Sequence, residues 1–182
     1  MKLARRLSAL LGIALFAMPA LALAALPVGS KAPDFTLQAS KGGKVFPFSL
    51  ADALKKGPVV LYFYPAAFTP GCTIEAHDFA DAIGRYKALG ATVIGVSHDP
   101  IAKLQKFSVS VCRSKFAVAA DSTQSVEKAY DAVLKLAPAY ADRTSYVIAP
   151  NGTILYTYTN LNPDQHVTNT LAALRAWKAK QH

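Results

Sequence analysis

Between residues 58 and 65 the chain reads PVVLYFYP, and every position is apolar, β-branched or aromatic. A continuous run of that length predicts a strand buried on both faces. Pro65 ends it, because proline cannot donate to a strand ladder. From Thr73 the period lengthens. Ile74, Phe79, Ala80, Ile83, Tyr86 and Leu89 recur on one side of a helix, and Gly90 stands where a C-terminal cap belongs. Residues 91–97 (ATVIGVS) predict a second buried strand, and Asp99-Pro100 opens a helix over 99–115. A third strand is expected over 116–121 and a short helix over 123–133. Residues 144–159 predict two strands joined at Pro150-Asn151-Gly152, a hairpin turn. The chain closes with an amphipathic helix over 164–180, and residues 44–50 (KVFPFSL) predict a short early strand.

Strands alternating with helices, then a hairpin and a last helix, imply a central mixed β-sheet flanked by helices. This α/β order matches a thioredoxin-like fold, which by itself assigns no activity.

The N-terminus follows a different pattern. Lys2, Arg5 and Arg6 precede an apolar stretch at residues 7–18, Pro19 breaks it, and Ala22-Leu23-Ala24 is a small-x-small cleavage site. Residues 1–24 therefore read as a secretory signal peptide, with 25–182 as one domain. The competing reading is an uncleaved anchor, since residues 7–26 carry no charge and reach the roughly 20 residues of a bilayer span. Cleavage leaves no stable membrane insertion and a periplasmic or secreted chain.

The formal charge is +9, and losing the three basic residues of the leader reduces it to +6. The remaining positive charge is dispersed, with no block denser than Lys55-Lys56, so nucleic-acid binding is not expected. Four scattered histidines and two cysteines without C-x-x-C spacing give no metal site and imply no cofactor. An even cysteine pair in an oxidising compartment does suggest a disulfide, permanent or transient.

Cys72 falls in the first turn of the helix that follows the central strand, where backbone N–H groups lack partners and favour an anion. A thiolate is such an anion. Thr69, three residues upstream, brings a hydroxyl within reach, or merely caps the helix. A cysteine at a helix start beside Thr and Gly is expected to be exposed rather than an inert core thiol.

Pro65-x-x-x-Thr69-x-x-Cys72 resembles the active-site signature of the peroxiredoxins, thiol peroxidases on a thioredoxin-like scaffold. The wider stretch VVLYFYPAAFTPGCTIEAHDF is similar to the Q-type, or bacterioferritin comigratory, branch of the alkyl hydroperoxide reductase/thiol-specific antioxidant superfamily. VGSKAPDFTL, VIGVSHD and DRTSYVIAPNGTILY match other landmarks of that branch in order. The resemblance implies that Cys72 is the peroxidatic cysteine, oxidised by hydrogen peroxide or an organic hydroperoxide to a sulfenic acid. It implies that Pro65 shields the sulfur, that Thr69 and Arg143 bind peroxide and thiolate, and that Glu75 orients the arginine. Without the resemblance Arg143 reads as a surface charge and His77 as a helix-surface residue.

Ionisation alone does not make such a thiol fast. Lowering a thiol pKa from about 8.5 to roughly 6 raises its thiolate fraction at neutral pH about thirtyfold. The accompanying loss of nucleophilicity removes about tenfold. Donors that stabilise the breaking O–O bond must supply the rest.

Many Q-type relatives carry a resolving cysteine five residues after the first; here that residue is His77. Cys112, in the next predicted helix, fits the other known arrangement approximately, about one turn late. It reads as the resolving partner in a Cys72–Cys112 disulfide, as a buried thiol of a one-cysteine enzyme, or as half of a permanent structural bond. The first case implies recycling by a thioredoxin-like protein reductant. Two alternatives to a peroxidase stay open at this level: a thioredoxin-like binding module with a structural disulfide, and a thiol–disulfide oxidoreductase. The Q-type resemblance also leans toward a monomer.

Overall fold

A computed structural model describes residues 25–181, so the expected signal peptide lies outside the described residues. Seven strands form one mixed sheet. In chain order they are β1 (Thr36–Lys41), β2 (Lys44–Ser49), β3 (Val59–Phe63), β4 (Thr92–Ser97), β5 (Ala117–Ala120), β6 (Thr144–Ile148) and β7 (Ile154–Thr159). Their spatial order is β2-β1-β5-β4-β3-β6-β7. Only the β3–β4 and β4–β5 pairs are parallel. The helices are α1 (Leu50–Leu54), α2 (Pro70–Ala88), α3 (Ile101–Ser110), α4 (Ser125–Ala129) and α5 (His166–Ala179), with a 3-10 turn at Pro163–Gln165. The expected thioredoxin-like α/β architecture is the observed one.

All five residues of β3 are buried, as its unbroken apolar run requires, because helices cover both faces of the sheet. Phe79, Tyr86, Leu104, Phe107, Leu171 and Leu174 from α2, α3 and α5 fill one side. Leu50, Ala53, Leu54 and Val126 from α1 and α4 pack the other with Phe63 and Tyr146.

Three local features differ from the sequence expectations. β1 has no expected counterpart: TLQASK is too polar and small to announce a strand, yet it pairs with both β2 and β5. The helix expected over 99–115 stops at Ser110, so Cys112 lies beyond α3 in a turn and not on its face. That turn places two non-glycine residues, Arg113 and Ser114, at φ 50° and 56°. The helix expected over 123–133 shrinks to α4. It is held at its start by Asp121, whose carboxylate accepts the N–H groups of Ser125, Val126 and Glu127 at 3.1, 2.8 and 2.8 Å.

Sheet register sets up the site. Phe63 at the end of β3 pairs with Thr144 at the start of β6, so Arg143 emerges beside the loop that leads from β3 into α2. On the other flank Phe63 pairs with Val96, which brings the β4–α3 loop alongside.

Candidate active site around Cys72

α2 begins at Pro70, a first-turn position where a missing N–H costs nothing. The first helical bond runs from Thr73 N–H to Thr69 C=O at 2.9 Å. The N–H groups of Gly71 and Cys72 are therefore left without helical acceptors at the helix mouth. Cys72 stands among them, but its side chain is only 1% exposed. The expected exposed cysteine is thus corrected. Arg143 packs over the start of α2 beside Gly71 and Cys72, and the sulfur presents no open face.

Arg143 is 4% exposed and its guanidinium is divided among three partners. Nη2–H donates to Cys72 Sγ at 3.5 Å. Nη1–H donates to Glu75 Oε2 in a close contact. Nε–H donates to the Leu161 carbonyl at 2.8 Å. Cys72 and Glu75 are three residues apart, so one helix face presents both to the same planar fork. Gly71 is fitted to this arrangement, because a Cβ there would lie 3.1 Å from Arg143 Nη2.

Thr69 is the N-cap residue but makes no capping bond; its hydroxyl donates to the Ala66 carbonyl at 2.9 Å, and the side chain is exposed. Its expected bond to the sulfur is not present in this state. Pro65 is half-buried in the same loop, two residues past the end of β3. Phe68, next to Thr69, holds φ 70° and is 46% exposed while its ring meets Phe107 edge-on at 5.1 Å. Asp99 anchors the loop from the other side. Its Oδ2 accepts from Ala67 N–H at 2.6 Å and from the Ser97 hydroxyl at 2.9 Å, while Oδ1 pairs with Lys103 at 2.7 Å. The sequence reading used Asp99 only as a helix start; its anchoring role depends on a loop 32 positions earlier.

Behind the arginine lies a second layer, of which the sequence reading named Glu75 but not His166. Glu75 is 1% exposed, and burial pushes its carboxyl up to about 8 against the opposing pull of Arg143. Its Oε1 has no hydrogen-bond partner and faces His166 Nδ1 at 3.6 Å. His166, fully buried at the start of α5, sits against the Asn160 carbonyl through Nε2 at 2.9 Å and against the Ser145 hydroxyl through Nδ1 at 2.8 Å. A carbonyl only accepts, so Nε2 carries the hydrogen and, in the neutral ring, Nδ1 accepts from Ser145. Burial holds this imidazole down to about 4, with the Arg143 charge adding to the effect.

Cys112 is fully buried, and burial pushes its thiol far up. Both cysteines are free thiols. Among the described residues no cluster of His, Cys, Asp or Glu is arranged to hold a metal ion, and no helix is long and apolar enough to cross a membrane.

Comparison with known proteins agrees with this geometry. Residues 28–157 match the AhpC/TSA family. The chain is 38% identical over 149 residues to chloroplastic peroxiredoxin Q of Oryza sativa subsp. japonica, covering 81% of this chain and 66% of that protein. It is 35% identical over 151 residues to chloroplastic peroxiredoxin Q of Sedum lineare, covering 82% and 78%. The chain thus spans slightly less than two thirds of the rice relative. Among solved structures it is similar to peroxidoxin BcpB from Mycobacterium tuberculosis, with TM-score 0.74 and 34% identity over 82% of this chain and 96% of that one. A reduced 2-Cys peroxiredoxin from Plasmodium vivax shares the fold at TM-score 0.76 and 23% identity, covering 85% and 98%. A cysteine at a helix mouth under a buried guanidinium, on this sheet and with these relatives, places the chain in the AhpC/TSA family, in its peroxiredoxin Q branch.

Proposed function

We propose that this chain is a thiol-dependent peroxidase that reduces hydrogen peroxide and organic hydroperoxides at Cys72. The observation that carries the reading is the buried Arg143 guanidinium, 3.5 Å from Cys72 Sγ at the start of α2. The thiolate attacks one peroxide oxygen and the O–O bond breaks. Sulfur takes that oxygen as a sulfenic acid, and the other oxygen leaves as hydroxide or alkoxide and takes up a proton. Arg143 and the free amides of Gly71 and Cys72 are the donors fixed in advance for the charge that develops on the leaving oxygen. Thr69 turns its hydroxyl from Ala66 to the bound peroxide, and Pro65 restricts water.

Cys112 is the resolving cysteine in this reading. Two sulfurs bridge only when their Cα atoms come within about 7 Å; both thiols are free and buried, and in this reading both segments unwind locally to pair them. The left-handed Arg113 and Ser114 support this, because non-glycine residues in that region carry a local backbone cost that opening relieves. A thioredoxin-like protein then reduces the disulfide. The reading also includes a monomer and a periplasmic or secreted location, the latter resting on the leader pattern of residues 1–24.

Peroxide consumption by purified wild type, Cys72→Ser and Cys112→Ser, with mass spectrometry after one equivalent of peroxide, tests the proposal. Cys72→Ser is expected to abolish turnover; retained activity overturns the peroxidase reading. Wild type is expected to give a Cys72–Cys112 disulfide, whereas a sulfenic acid on Cys72 with free Cys112 removes the resolving role alone.

A further inference from the structure

Beneath Cys72 one guanidinium faces two acids. Arg143 contacts Cys72 Sγ through Nη2 and Glu75 Oε2 through Nη1, all three side chains being buried. If sulfur and carboxyl were both ionised, the cluster would carry a net negative charge inside the protein, which is costly without a second cation. The neighbouring groups supply none. Asp78, on α2, adds negative charge near Glu75. The phenols of Tyr62 on β3 and Tyr86 on α2, which burial keeps neutral, add no positive charge, and Tyr158 of β7 lies edge-on against His166 at 4.8 Å.

The geometry around Glu75 Oε1 is equally one-sided. Oε2 has its donor in Arg143, whereas Oε1 has none and confronts the acceptor face of His166 Nδ1. Asn160 and Ser145 fix that tautomer from either side of the ring. The Nδ1 lone pair is already taken by the Ser145 hydroxyl, so an ionised Oε1 would face only another electron-rich atom across 3.6 Å, which favours a proton on the carboxyl.

We propose that Glu75 is the proton store of the peroxidatic site: it carries a proton on Oε1 while Cys72 is a thiolate, and releases it when the sulfur loses its charge. His166 is the positioning residue that keeps Oε1 without a donor. The inference rests on the peroxidase reading. The buried cluster then remains neutral throughout, as thiolate, guanidinium and neutral carboxyl before the reaction, and as sulfenic acid, guanidinium and carboxylate after it. The step balances: the thiolate takes one oxygen and gives up two electrons, the O–O bond breaks, and the departing oxyanion takes up one proton. Glu75 returns one proton to the site as it ionises against Arg143, so the reaction needs no net proton from the medium. Burial raises the Glu75 carboxyl in the direction this requires and depresses His166.

Infrared difference spectroscopy of the wild-type protein, reduced against peroxide-oxidised, is the test. The expected result is a protonated-carboxyl C=O band in the reduced protein that disappears on oxidation. Only two glutamates occur in the chain, Glu75 and Glu127, so carbon-13 labelling of glutamate identifies the band's residue type without mutation. The band should survive in Glu127→Gln and vanish in Glu75→Gln. Replacing His166 by Gln, which offers Oε1 an amide donor, should weaken it and lower the carboxyl's affinity for the proton. Absence of a glutamate band in the reduced protein, or a band unchanged by oxidation, overturns the proposal. Because the Cys72→Ser assay is independent, such a result would leave the peroxidase reading standing.

Discussion

Arg143 is a surface charge in the sequence and a buried fork in the structure, and that change of environment is where most of the site's chemistry arises. Its five N–H donors let it bond Cys72, Glu75 and Leu161 at once. A lysine is a point charge with three donors and no planar fork, so it cannot hold the same three partners. Arg143→Lys is therefore expected to lower kcat/KM for peroxide by about 10²- to 10³-fold, the size seen when one fixed donor to a developing oxyanion is lost. Steady-state kinetics, with circular dichroism to show that the fold is retained, checks this. Cys72, Thr69 and Pro65 were visible because they sit within eight residues of one another, and Arg143 became visible through the resemblance alone. His166 had no such signal. A single histidine at the start of an amphipathic helix looks the same whether it faces water or a buried carboxyl, and only the contact with Glu75, 91 positions earlier, distinguishes the two.

Among the elements, β3 and β4 were the most legible, since a strand buried on both faces has to be apolar throughout. Gly95 in β4 shows what the pattern conceals. A Cβ there would come within 2.7 Å of the Tyr62 ring, which stacks on Phe79 at a centroid distance of 4.4 Å. Gly95→Ala should destabilise the protein by about 1–3 kcal/mol, the usual cost of overpacking a close-packed core. Because Phe79 lies on α2, the substitution should also disturb the helix that presents Cys72. Denaturant melts read the first effect and peroxide turnover the second; full stability in Gly95→Ala would mean the Tyr62 ring has room to move. Elements defined by pairing rather than by burial were harder to read. β1 exists because β2 and β5 flank it, and α3 ends at Ser110 ahead of a turn in which Arg113 and Ser114 are left-handed, which neither residue type predicts.

For the molecule as a whole, the buried titratable groups predict how stability depends on pH. Burial raises Glu75 to about 8 and Glu127 to about 7, whereas free glutamates release their protons near 4.5. Between those values the native state binds more protons than the unfolded chain, so stability falls as pH rises through the window. His166 acts in the opposite sense. Its ring is held down to about 4 instead of 6.5, so the unfolded chain binds the extra proton and stability falls as pH drops from 6.5 toward 4. The effects oppose one another from 4.5 to 6.5, and above 6.5 only the carboxyl loss remains. Thermal midpoints should therefore decline from pH 6.5 to 8. In Glu127→Gln the decline should be shallower up to about pH 7, as measured by scanning calorimetry across that range. A decline of wild-type steepness in that variant would place Glu127 outside the linkage.

The one-dimensional pattern determined the α/β class, the central buried strands, the hairpin and the position of Cys72 at a helix start. Each of these follows from periodicity or from neighbours a few residues apart, and short-range sterics and solvation are written locally in a chain. Tertiary structure decided the burial of Cys72, the division of Arg143 among three partners, the isolation of Glu75 Oε1 opposite His166, and the turn that holds Cys112. Those depend on charges and packing brought together from distant segments by sheet register. The energy of a buried charge is set by what surrounds it in space, which no local pattern of residues specifies.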